Sequence, residues 1–161
     1  MADPSGAPTV VRPSPPPKAM LAVTNPIIRS VLSSRWHRPM STGLMVLTFT
    51  GRKSGRTYST PVGRHDLDGV LTVVTGAPWR LNFRGGAPVT VTLEGQRRKG
   101  HAELVEDPDE VARAYGTLLE RVGVRHARRL GLKITGQRNP TLQEIRDGLP
   151  GHALVRIRLD G

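Results

Sequence analysis

The 161 residues carry 24 Lys and Arg against 13 Asp and Glu, a formal net charge of +11, and 37% of them are hydrophobic. That is enough apolar chain for one domain with a real core, and the charge favours anionic partners: nucleic acid, an anionic membrane surface, or a phosphorylated or carboxylated small molecule. The absence of cysteine excludes a disulfide framework, a thiol nucleophile and any Cys-ligated metal, while 14 Pro and 18 Gly argue for many turns and against a helical bundle.

Residues 1–20, "MADPSGAPTVVRPSPPPKAM", lack the apolar core of a secretory signal and are expected to form a flexible, Pro-rich arm. Residues 21–161 are expected to form a single domain, and the reducing cytoplasm is the expected location. No apolar run approaches the roughly 18 residues of a membrane span. A helix is predicted over residues 24–39, capped by Thr24 or Asn25 with Pro26 in its first turn. Ile27, Ile28, Val31, Leu32 and Trp36 recur along it at helical spacing. That stripe suits docking on a β core; the accompanying Arg29, Arg35 and Arg38 also allow a weak peripheral membrane association.

"GLMVLTFT" reads as a buried strand, and "TYSTPVGRHD" as a second whose Pro61 marks an edge or a bulge. "GVLTVVTG" is a third, followed by the irregular or briefly helical "APWRLNFRGG". Val89, Val91 and Leu93 alternate cleanly in a fourth strand, and a two-residue turn near Gly95–Gln96 leads into a fifth. Asp107 caps a helix from Pro108, with Val111, Ala112, Tyr115, Leu118, Leu119 and Val122 as its apolar face. A second helix over "RHARRLGL", a break at Gly136, a turn at "RNPT" and a short helix over "LQEIRDG" lead to a last strand, "HALVRIRL". Links this short demand antiparallel neighbours. The predicted fold is mainly β: a small split barrel with flanking helices.

The residues able to carry chemistry are few. Between the first two strands, "GRKSGR" sets Arg52, Lys53 and Arg56 around a tight glycine turn with the hydroxyls of Ser54 and Thr57. Two readings stand: a phosphate site whose glycines let amides face inward as an anion nest, or a solvated hairpin tip. It is not a Walker A loop. Trp79 and Phe83, beside Arg80, Asn82 and Arg84, suit the edge of a flat ligand such as a flavin, and equally the closing of one end of a barrel. His37, His65, His101, His126 and His152 are dispersed without a metal-ligand pattern. No GxSxG elbow is present. Arg97, Arg98 and Lys99 form one basic cluster, and Arg125, Arg128 and Arg129 another. With aromatic residues at 4%, base-stacking surface is scarce, and a nucleic-acid role is a minor alternative.

"LTFTGRKSGRTYSTPVG", "LTVVTGAPWRLNFRGGAPVTVTLEGQ" and "GHAELVEDPDEV" together resemble the deazaflavin-dependent nitroreductase family, over residues 43–115. The resemblance implies a split β-barrel of the FMN-binding type, a reductase using coenzyme F420 (FMN being the alternative), and a homodimer. It implies that Arg52, Lys53, Ser54, Gly55 and Arg56 hold the phosphorylated, carboxylate-bearing tail, beside which the Thr57 hydroxyl is a further cofactor-binding candidate. Thr60, Pro61 and Val62 would run alongside the ring system, with Trp79, Asn82 and Arg84 in the family's tryptophan–asparagine segment. The segment before Trp79 is shorter here than in many relatives. Hydride would pass to a small electron-poor acceptor: a quinone, an enone or a nitro compound. Tyr58 and Tyr115, the two tyrosines, are the candidate proton donors. A non-catalytic cofactor-binding protein and a basic protein for anionic surfaces are the remaining alternatives.

Overall fold

The computed structural model describes residues 9–14, 43–136 and 138–161; the helix expected over residues 24–39 lies outside them. The described residues fall into two compact units, one of residues 43–73, 77–104 and 155–161, the other of 9–14, 74–76, 105–136 and 138–154.

The first unit is built on a seven-stranded sheet of β2 (Leu44–Thr50), β3 (Thr57–Gly63), β4 (His65–Leu67), β5 (Val70–Thr75), β6 (Ala87–Leu93), β7 (Gln96–Val105) and β9 (Ala153–Leu159). The strands are ordered β3-β2-β6-β7-β9-β5-β4. It is the open, curled antiparallel sheet of a split β-barrel, as the short links required. β2 pairs with β3 from Leu44↔Gly63 to Thr50↔Thr57 and with β6 at Leu47↔Val91. Pro61 therefore sits on an outer strand, where its missing N–H leaves no central ladder bond unmade.

Both tight hairpins turn on two residues with positive φ, Asp68–Gly69 (55° and 78°) and Glu94–Gly95 (50° and 81°), the pattern of a type I′ turn whose twist matches the strands. The second lies one residue earlier than the Gly95–Gln96 turn expected, because Gln96 is already paired with Leu93. Alternation sends Met45, Leu47, Phe49, Val62, Val73, Val89, Val91, Ala102, Val155 and Ile157 into one core, with Phe83 fully buried among them. Gly100 is required there: a Cβ on it would come 2.5 Å from the backbone oxygen of Arg158.

The second unit holds α1 (Pro108–Val122), a 3-10 helix (Val124–Leu130), β8 (Leu132–Thr135), α2 (Leu142–Gly148) and β1 (Val10–Pro13). The Asp107 side chain accepts from the Asp109 N–H at 3.1 Å, opening α1 as predicted, and Gly123 closes it. Thr141 and Glu144 form a reciprocal capping box at the start of α2.

Two expectations are corrected here. Val10–Pro13, within the segment read as a flexible arm, is a strand that pairs antiparallel with β8 from Val10↔Thr135 to Pro13↔Leu132. Val11 on it is buried, and Gly148 approaches its backbone so closely that no Cβ fits. The helix expected over "RHARRLGL" is the 3-10 helix, and it stops at Leu130 because Gly131 adopts the left-handed conformation.

Candidate active site

β2 and β3 deliver the "GRKSGR" loop to one end of their hairpin. The loop is closed on itself: the Gly51 N–H donates to the Arg56 carbonyl at 2.8 Å and the Gly55 N–H to the Gly51 carbonyl at 2.9 Å. Gly55 has φ +67°, a conformation that favours glycine. The Arg56 N–H donates to Ser54 Oγ at 3.2 Å, and the Arg52 N–H to Asn82 Oδ1 at 2.8 Å. The amides of Gly51, Arg52, Gly55 and Arg56 are thus spent inside the protein. The glycine amides of the turn are therefore not available to an anion, which falls to the cationic and hydroxyl side chains and to the remaining amides of the loop.

Asn82 belongs to the 3-10 helix Pro78–Phe83, and its Nδ2 donates to the Trp79 carbonyl at 2.8 Å, so one amide ties the helix to itself and to the loop. Arg52 makes the second tie. Its Nη1 donates to the Arg84 carbonyl at 2.8 Å, with the Leu81 carbonyl at 3.5 Å. Arg52 is thus a strut between loop and helix.

Loop, hairpin and helix enclose a cavity of about 730 Å³, within the size range of small-molecule and cofactor sites. One wall is aromatic. The Phe49 ring stacks near Tyr58 at a centroid distance of 5.9 Å, lies 5.9 Å from Trp79, and is 5.2 Å from Phe83 edge-on. Tyr58 and Ser54 share a hydrogen bond of 3.0 Å between hydroxyls. Gly51 must be small for this pair to form: a Cβ would come 2.7 Å from Tyr58 Cε2 and from Ser54 Oγ. Lys53 and Arg56 are exposed, and neither pairs with a carboxylate among the described residues.

Of the residues singled out in the sequence, Arg52, Lys53, Ser54, Tyr58, Thr60, Trp79, Asn82 and Arg84 line this one cavity. Gly55, Arg56 and Thr57 are in the adjoining loop and strand start, without lining it. Val62 faces the core, and Pro61 lies on β3 away from the cavity. Phe83 is buried in the barrel core, and Trp79, packed against that core, also lines the cavity.

Tyr115 does not join the site. It is 1% exposed in the core of the helical unit, edge-on to His152, and burial raises its phenol pKa well above the ordinary value. A hydroxyl so enclosed does not serve as a proton donor to a substrate, and that assignment is withdrawn. Phe49, Ser59 and Ala77 line the cavity without having been singled out, and Pro78 and Leu81 of the "PWRLNF" segment line it too. For Phe49 the signal was available, since it is directly opposite Tyr58 across the hairpin. Among the described residues no group of three or more His, Cys, Asp or Glu is placed to hold a metal, and no helix is long and apolar enough to cross a membrane.

The sequence profile of the family described as F420H(2)-dependent quinone reductase matches residues 29–131. The chain belongs to that family. It is therefore an oxidoreductase that passes a hydride between a deazaflavin and a small acceptor, in agreement with the resemblance read from its motifs. No curated protein matches it. Among solved structures it is similar to the Agrobacterium tumefaciens protein Atu2129, of unknown function, at 19% identity and a TM-score of 0.50 over 86% of this chain and 60% of that one. It is also similar to Rv2991, a conserved hypothetical protein of Mycobacterium tuberculosis, at 17% identity and a TM-score of 0.49 over 87% and 82%. An F420-H2 dependent reductase, FDR-A, matches at 18% identity and a TM-score of 0.47 over 72% of this chain and 94% of that chain. The likeness to the Agrobacterium protein is one of fold alone.

Proposed function

We propose that the cavity between the "GRKSGR" loop and the 3-10 helix holds coenzyme F420 and that the acceptor is a quinone, an enone or a nitro compound. The observation that carries this reading is an aromatic wall in a cavity that Arg52, Lys53 and Arg84 also line, with Arg56 in the adjoining loop. A flat, largely apolar ring system suits the wall of Phe49, Tyr58 and Trp79. A phosphate- and carboxylate-bearing tail suits Lys53 in the lining and Arg56 beside it, neither of which pairs with a carboxylate among the described residues. FMN, with one phosphate, fits the same chemistry less fully, because it leaves a cation over.

When bound and reduced, the deazaflavin supplies the hydride. The chain's own residues bind, orient and protonate. Lys53 and Arg56 neutralise the tail. Asn82 and Arg52 fix the spacing between the loop that takes the tail and the helix that carries Trp79. Tyr58, oriented by its 3.0 Å hydrogen bond to Ser54, is the residue we assign to deliver the proton to the reduced acceptor. A second copy of the chain docking along the outer strand β3, which carries the cavity residues Ser59 and Thr60, would complete the site as a homodimer. The cysteine-free chain suits a cytoplasmic enzyme.

The test is anaerobic turnover of reduced F420 with a quinone, an enone and a nitroaromatic acceptor. Acceptor-dependent reoxidation, diminished in Tyr58→Phe with the coenzyme still bound, supports the assignment. Reoxidation unaffected by Tyr58→Phe refutes the role of that hydroxyl.

A further inference from the structure

Arg125 and Arg128 of the second basic cluster line a cavity other than the one just described. In the helical unit, the 3-10 helix and β8 enclose a separate cavity of about 470 Å³. Arg125 and Arg128 enter it from the helix and Lys133 from the strand, and none of the described residues lining it is acidic. None of these three cations pairs with a carboxylate among the described residues.

The neighbouring strand adds to the imbalance. Arg12 of β1 is directly opposite Lys133 in the antiparallel register, and like charges at opposed positions repel. An anion bound at Lys133 would relieve that repulsion, although Arg12 itself does not line the cavity. A third feature lies behind the wall. Thr9 is 3% exposed and its hydroxyl has no hydrogen-bond partner. It lies beside Gly136 of the cavity lining, close enough that a Cβ there would be 3.2 Å from Thr9 Oγ1.

We propose that this cavity is an anion site for a phosphate-bearing ligand, separate from the coenzyme site. The reasons are geometric and electrostatic. Arginine presents a planar fork that matches phosphate oxygens two at a time, and lysine adds a point charge. Three such groups converging on a concavity of this size fit a compact phosphoryl group rather than a duplex groove, which calls for an extended stripe. Either a free phosphorylated metabolite or a phospholipid headgroup supplies that group.

The test is a titration of the isotopically labelled full chain with pyrophosphate, followed at the backbone amides. Sedimentation with phosphatidic acid vesicles, against phosphatidylcholine vesicles, forms the second arm. Saturable shifts of residues 124–136 are expected, weakened at least tenfold by Arg128→Gln or Lys133→Gln and unchanged by Lys53→Ala, which affects only shifts in the loop of residues 51–56. Such shifts assign a soluble ligand. Binding only to phosphatidic acid vesicles, with the same dependence on Arg128, assigns the headgroup. The proposal is overturned if neither probe binds, or if Arg97→Gln on β7 weakens binding as much as Arg128→Gln, since that would be attraction to net charge alone. Arg128 and Lys133 are exposed, and unchanged melting of both variants verifies the fold. Loss of coenzyme binding would leave this result untouched, because the two sites share no residue.

Discussion

The Arg52 N–H and Asn82 Oδ1 meet at 2.8 Å although 30 residues separate them in the chain. That bond decides how the loop between β2 and β3 stands against the helix bearing Trp79. Asn82→Ala removes it, together with the bond to the Trp79 carbonyl. We expect a loss of about 1–2 kcal/mol in the local structure and a fall of roughly tenfold in coenzyme affinity by the same arithmetic. Asn82→Asp keeps the acceptor and loses the donor, so its affinity should fall between that of the wild type and the alanine variant. Fluorescence titration of the three proteins checks the order.

Lys53→Ala and Arg56→Ala are expected to weaken the coenzyme by about tenfold each, the worth of one charge-assisted hydrogen bond. Because both side chains are exposed and unpaired with carboxylates, melting temperature should hardly move. The affinity of the wild type should also drop with added salt more steeply than that of either variant. Titrations at two ionic strengths separate these effects.

Gly51→Ala places a methyl group 2.7 Å from both Ser54 Oγ and Tyr58 Cε2. The Ser54–Tyr58 pair must part to admit it, at a cost of about 1–3 kcal/mol for overpacking. Turnover should fall more than coenzyme affinity, since the hydroxyl assigned to proton delivery is displaced while Lys53 and Arg56 remain. Single-turnover rates alongside binding measurements test that split.

Glu144 ties three segments of the helical unit. It accepts from Arg138 at 2.6 and 2.9 Å, from the Thr141 N–H at 2.8 Å and from the Thr9 N–H at 3.3 Å. The Arg138 hydrogen bonds first, then those from the two backbone amides, hold its carboxyl at about 2, below the ordinary value of about 4.3. A carboxyl lowered on folding stabilises the native state fully above its unfolded value, and that stability is lost as pH falls toward the folded one. The wild type should therefore lose its advantage over Glu144→Gln between about pH 4.5 and pH 2. Urea unfolding of both proteins across that range tests the sign; an advantage that grew on acidification would contradict it.

The strands of the sheet were legible because alternation is local: Val89, Val91 and Leu93 announce one face within five positions, and Asp107–Pro108 announces a helix start. β8 was missed for the opposite reason. "LKIT" offers four residues between Gly131 and Gly136, too few to show a period, and its partner strand arrives from the beginning of the chain. The site divided in the same way. Residue types placed Lys53, Tyr58, Trp79 and Asn82 among the candidates, yet nothing near Arg52 reveals that its guanidinium reaches the carbonyl of Arg84. The glycines of the loop suggest free amides, and only the closed hydrogen bonding of the turn shows that those of Gly51 and Gly55 are engaged. Tyr115 was named because tyrosine is scarce, and the stripe Val111, Ala112, Leu118 and Leu119 that buries it was already visible around it.

The most direct measurement is a fluorescence titration of the purified protein with F420 and, in parallel, with FMN. The account predicts saturable, stoichiometric binding of F420 preferred over FMN, with the preference reduced in Lys53→Ala and Arg56→Ala because FMN leaves one rim cation unused. Preference for FMN, or F420 binding indifferent to both substitutions, would contradict it.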